Sequence, residues 1–140
     1  MMALSDTPAL VPVPSQQVPE IWPEVQPLVN RALAHGGGRY ETDDFLQALT
    51  RREMQLWLAR AGDRLIGAVV TELRSYPRQR RCRYLLLAGE DFDRWQHLQQ
   101  DIEDWARANA CTAMEMCGRR GWERKLSGWR ATHVEMSKEI

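Results

Sequence analysis

Residues 81–109, RCRYLLLAGEDFDRWQHLQQDIEDWARAN, limit what this chain can fold into more than any other stretch. Residues 82–88 are a short apolar run between arginines and Gly89, the pattern of a buried strand. Beyond the glycine, Phe92, Trp95, Leu98, Ile102, Trp105 and Ala106 recur at helical spacing along one stripe. Arg94, Gln96, Gln100, Glu103 and Asp104 fall on the opposite side. A strand that enters a helix through one glycine is a common ligand site, because the first N–H groups of the helix lack intrahelical partners and face the strand's carboxyl end.

The remainder fits one domain, since 140 residues suffice for a single core. With 27% charged residues and a formal net charge of zero, no bulk attraction to nucleic acid or anionic membrane is expected. No run approaches the roughly 18 apolar residues of a membrane span. Cys82, Cys111 and Cys117 contain no CxxC pair, which favours a reducing compartment, the cytoplasm, over a disulfide framework or a zinc site. His35, His97 and His133 lack ligand spacing, so no metal site is expected. The tryptophans fall mostly within apolar patterns and read as core fillers whose N–H groups need partners. Pro8, Pro12 and Pro14, with no basic start before them, argue against a signal peptide.

Residues 9–13 alternate weakly, as an edge strand or an unstructured arm. Residues 1–18 are therefore set apart as an N-terminal arm or edge strand, and 19–140 as the domain. A helix is expected from about residue 20 to 22, with a kink or 3₁₀ turn at Pro23 and Pro27 and a stop at Gly36, Gly37 and Gly38. Thr42 reads as the N-cap of a second helix with Phe45, Leu46 and Leu49 buried. Residues 54–60 and 65–76 read as strands joined at Gly62-Asp63, and the 82–88 strand follows antiparallel. Residues 112–117 read as a strand, 121–126 as a short helix, and 129–138 as a last strand with Thr132, Val134 and Met136 on one face. The fold class is α+β, with a mixed central sheet of largely antiparallel strands flanked by helices.

This order of elements, the strand–glycine–helix junction at Gly89 and the ending GRRGWERKLSGWRATHVEMSKEI resemble the GNAT-type N-acetyltransferase superfamily over residues 9–139. In the ending, Gly128-Trp129 looks like the family's Gly-aromatic pair and Met136-Ser137-Lys138 like its closing strand; short phage-borne members are similar. The resemblance implies a single GNAT-like domain, acetyl-CoA as cofactor, and a small-molecule or protein amine as acceptor. Two departures stand out. The family's Arg/Gln-x-x-Gly-x-Gly/Ala, which lets backbone approach a pyrophosphate, corresponds here to Ala88-Gly89-Glu90-Asp91-Phe92-Asp93, so only Gly89 is kept and three carboxylates oppose the phosphate. The tyrosine often found four residues before the Gly-aromatic pair is replaced by Arg124.

Carried over residue by residue, the resemblance implies that Glu72 deprotonates the amine and that Tyr84 hydrogen-bonds substrate or pantetheine. The central strand would splay from its neighbour at Leu86, Leu87, Ala88 and Gly89, with pantetheine added there like an extra strand. Arg119 and Arg120 would offset the acidic turn and contact phosphate. Each has a bland alternative: Glu72 paired with Arg74 or Arg83, Tyr84 as a strand aromatic, and Arg119 and Arg120 paired with Glu90, Asp91 or Asp93. The arginines at 74, 78, 80, 81 and 83 suit a solvated turn better than a nucleic-acid surface. Cys117 reads as a buried, inert thiol. Two function classes follow: an acetyl-CoA-dependent N-acetyltransferase, or a non-catalytic protein that keeps the fold as a binding or assembly module.

Overall fold

The computed structural model describes residues 7–35 and 37–140; Gly36 of the expected helix stop and residues 1–6 of the expected arm lie outside them. One sheet runs in the order β1 (Pro8–Val13), β2 (Gln55–Ala61), β3 (Arg64–Tyr76), β4 (Gln79–Gly89) and β5 (Ala113–Met116). The first four strands are antiparallel neighbours, whereas β5 joins β4 in parallel. Of the two readings of the N-terminus, edge strand is the one observed: β1 bonds only to β2, which leaves Pro8 and Pro12 where a missing donor is tolerated.

Helices α1 (Val18–Leu33) and α2 (Thr42–Thr50) cover one face, where Val25, Val29, Phe45 and Leu49 meet Leu56, Leu58, Ala68 and Val70. On the other face α3 (Phe92–Trp95) and α4 (Gln99–Ala108) bring Trp95, Ile102 and Ala106 against Trp57, Val69, Cys82 and Tyr84. Two buried tryptophans find the partners their N–H groups require, Trp57 at Thr71 Oγ1 (3.1 Å) and Trp95 at the Glu90 carbonyl (3.0 Å). Among the described residues no helix is long and apolar enough to cross a membrane.

Four local expectations are corrected. Helix α1 starts at Val18, ahead of the expected position, and runs through Pro23 and Pro27. With Pro19 these prolines lie on the exposed side, so the carbonyls that lose a donor are open to water. The N-cap of α2 is Glu41, whose N–H donates to Asp44 Oδ2 (2.8 Å), while the Thr42 hydroxyl binds Asn30 Oδ1. The expected continuous helix after Gly89 is broken by a 3₁₀ turn at Gln96–Leu98, because buried Gln99 turns its side-chain amide back to the Gln96 carbonyl (3.1 Å).

The last correction is residues 129–138, which form no strand. Alternation provides a face but no ladder partner, and Val134 and Met136 remain exposed. That segment is held instead by an Ala131 N–H to Glu123 bond (2.7 Å) and an Arg39–Glu135 ion pair (2.8 Å).

Candidate functional site

The sheet opens where β4 outlasts β5. Their pairing covers Arg81 to Tyr84 against Ala113 to Met116, whereas β4 continues to Gly89 bonded to β3 alone. At that point the β3–β4 register shifts: Tyr84 faces Thr71 and Leu86 faces Val70, so Leu85 is an extra residue in β4. A bulge bends the strand that contains it, and here it lies where the parallel partner ends. On the β5 side residues 85–89 have no ladder partner among the described residues. This leaves an edge with main-chain donors and acceptors that an extended ligand can use.

A cleft of about 500 Å³ lies against the end of this edge, lined by Leu87, Ala88, Gly89, Arg31, Arg119 and Lys125 among others. Phe92 and Trp122 also face it, in edge contact with centroids 5.7 Å apart. Gly89 itself serves the fold. Its φ is +136°, and a Cβ there would overlap the Ile66 carbonyl oxygen and Gly67, so no other residue fits between β4 and β3. The next peptide is also used internally, with the Glu90 N–H donating to Ile66 O (2.8 Å) and its carbonyl accepting from Trp95 Nε1. The Glu90 N–H is therefore not available to a phosphate.

The charges are arranged accordingly. Arg64 takes Glu90 at 2.8 Å and lies 3.8 Å from Asp91, which in turn lies 3.8 Å from Arg94. The expected alternative of an Arg119 or Arg120 ion pair with that turn does not occur among the described residues, although Glu90 and Arg119 line the same cleft. Arg31 and Arg119 have no carboxylate partner there either, and Lys125 stands over the Trp122 ring.

Of the residues expected from sequence, Leu87, Ala88, Gly89 and Arg119 come together around this cleft. Leu86 does not line it and is buried beneath α1 and α2. Arg120 faces an adjoining cleft beyond the end of β5. Tyr84, expected to reach substrate, is buried instead; its hydroxyl donates to Gln99 Oε1 (2.9 Å) and its ring meets Trp129 at 5.4 Å. Burial first, then the nearby Cys82 and Glu103, raises its pKa well above the ordinary phenol value.

Glu72 lies opposite Arg83, one register step from the divergence of β4 and β5, and its carboxylate accepts from Arg74 Nε (2.6 Å). Beside it is a cluster that sequence reasoning missed. Glu115 on β5 accepts from the Tyr76 hydroxyl and from Arg83 Nη1, both at 2.7 Å. Burial works to raise the Glu115 pKa, but these two donors together with the charges of Arg83 and Arg81 outweigh it and hold the carboxyl below its usual range. Arg83 also reaches Cys117 Sγ (3.0 Å), which is exposed and not buried as expected. Arg31 and Lys125 were likewise missed. Nothing local distinguishes a helix-surface cation over a cleft from one over water.

No model of a known protein family and no curated protein matches the sequence. Solved structures do match the fold. An aminoglycoside acetyltransferase from an uncultured soil metagenomic sample, in complex with sisomicin, superposes with a TM-score of 0.69 at 7% identity, over 98% of this chain and 99% of that one. A GNAT family acetyltransferase from Staphylococcus aureus gives 0.64 at 13% identity, covering 96% and 99%. A predicted acetyltransferase with acetyl-CoA from Clostridium acetobutylicum gives 0.64 at 12%, covering 94% and 96%. The chain has the GNAT acetyltransferase fold, a single α+β domain with a five-stranded mixed sheet.

Proposed function

We propose that this protein is an acetyl-CoA-dependent N-acyltransferase acting on an amine of a small molecule or a protein. The observation that carries the proposal is the unpaired β4 edge at residues 85–89, opening beside a cleft with the cations Arg31, Arg119 and Lys125. The main chain from Leu86 to Gly89 would receive the pantetheine arm as an added strand. The three cations would receive the phosphates, against opposition from Glu90 that Arg64 already reduces. When bound, acetyl-CoA supplies an acyl group activated as a thioester.

Glu72, near the vertex of the opening, would take the proton that the acceptor amine gives up, directly or through one water. Arg74 holds that carboxylate in position. Tyr84 contributes as a positioning residue, through Gln99 and Trp129. Calorimetric titration with acetyl-CoA tests the reading. Heat of binding is expected, with Arg119→Ser and Lys125→Ser each weakening affinity by about tenfold, the scale of one charge-assisted contact. No heat at millimolar acetyl-CoA rejects it.

A further inference from the structure

The cleft adjoining the β4 edge has a charge pattern that restricts the acceptor. It occupies about 640 Å³ beyond the carboxyl end of β5 and shares Arg119 and Trp122 with the cleft at Gly89, so the two are neighbours across these side chains. Three guanidinium groups line it, those of Arg119, Arg120 and Arg130, and none has a carboxylate partner among the described residues. Of its two carboxylates only Glu135 is paired with a cation among the described residues. Glu123 accepts the Ala131 N–H (2.7 Å), and Arg39 holds Glu135 through both oxygens at 2.8 and 3.2 Å.

A polycationic amine entering such a cleft meets three guanidinium groups without a carboxylate partner against one carboxylate without a cation partner, Glu123, so positive charge dominates. An amine that also bears a carboxylate meets donors whose planar fork matches that group. Trp122 and Trp129, both only partly buried, give the cleft apolar walls for the carbon skeleton. Resting on the acyltransferase reading, we infer that the acceptor is an amine carrying its own carboxylate, an amino acid or peptide-like compound, held by Arg120 and Arg130 while its nitrogen points toward the β4 edge. The aminoglycoside bound by one structural neighbour is a polycation, and this chain selects against that class.

Matched probes test this. L-phenylalanine and phenethylamine share the amine and the ring and differ in the carboxylate; O-phosphoethanolamine supplies a phosphate in its place, and sisomicin supplies a polycation. Thiol release from acetyl-CoA is expected to favour L-phenylalanine over phenethylamine by about tenfold or more in kcat/KM, with sisomicin inert. Arg120→Ser with Arg130→Ser should erase the preference while leaving acetyl-CoA binding intact by calorimetry. Equal use of the two matched amines, preference for sisomicin, or preference for O-phosphoethanolamine over L-phenylalanine overturns the inference. So does weakened acetyl-CoA binding in the double variant, which would assign this cleft to the cofactor. Direct titration of the probes into the protein alone separates the two readings. If acetyl-CoA does not bind but L-phenylalanine binds and phenethylamine does not, the enzyme reading falls and the carboxylate specificity stands; if neither amine binds, the specificity falls as well.

Discussion

The Tyr84 hydroxyl donates a 2.9 Å hydrogen bond to Gln99 Oε1 between β4 and α4, and both residues are buried. This one contact satisfies the phenol, fixes the Gln99 amide so that its nitrogen returns to the Gln96 carbonyl, and thereby sets the break between α3 and α4. Tyr84→Phe leaves a buried acceptor without its donor and should cost about 1–3 kcal/mol. Urea denaturation measures that loss. Acetyl transfer, assayed well below the new midpoint, should fall by less than about tenfold if Tyr84 acts through position, whereas a loss on the order of 10²-fold or more with unchanged stability would make it the proton-transfer group instead.

Gly67 and Gly89 form a second point of close approach, since they pair across β3 and β4 while the Trp95 ring lies against Gly67. Alanine at position 67 would push a methyl into that ring. At 89 it would meet the Ile66 carbonyl and adopt a φ of +136°, which side chains rarely tolerate. Gly67→Ala should destabilise by about 1–3 kcal/mol through overpacking, and Gly89→Ala by about 2–4 kcal/mol because backbone strain is added. Thermal melts of Gly67→Ala and Gly89→Ala check this, and a midpoint within a degree or so of the parent protein would contradict it.

Glu90 lines the proposed phosphate cleft and is paired with Arg64. Glu90→Gln removes a negative charge and leaves Arg64 with Asp91 as its remaining carboxylate, so acetyl-CoA affinity should rise by about threefold to tenfold, the range set by a charge pair near a protein surface. The gain should shrink as salt is added, because both groups are exposed and screened. Titrations at low and high ionic strength measure both effects.

The buried Cys82 thiol makes stability sensitive to alkaline pH. Burial first, and then neighbouring Cys111, pushes its pKa from 9.0 up to about 12. A group whose pKa is raised on folding keeps its proton in the native state after the unfolded chain has released it. Its contribution is complete below pH 9.0 and is lost as the pH rises toward about 12. Tyr84 and Cys111 shift in the same direction and add to the slope. Denaturation midpoints should therefore fall above pH 9.0, less steeply in Cys82→Ala. A native thiol-labelling experiment should mark exposed Cys117 and spare Cys82.

Much of this was legible in the sequence because side-chain period reports which face of an element is buried. The stripe from Phe92 to Ala106, the hairpin at Gly62-Asp63 and the apolar run ending at Gly89 each carry their own pattern, and together they indicate an α+β sheet whose candidate site is at one strand end. The tertiary structure alone decided the rest. Leu85 becomes a bulge only through the register of β4 against β3, the α3–α4 break depends on Tyr84 from another element, and the acidic turn takes Arg64, distant in sequence, as its partner and not Arg119. The alternation in residues 129–138 predicts a strand that the fold does not form. Periodicity is a local property of the chain, whereas ladder partners, hydrogen-bond partners and counterions are chosen among groups that meet only after the chain has folded.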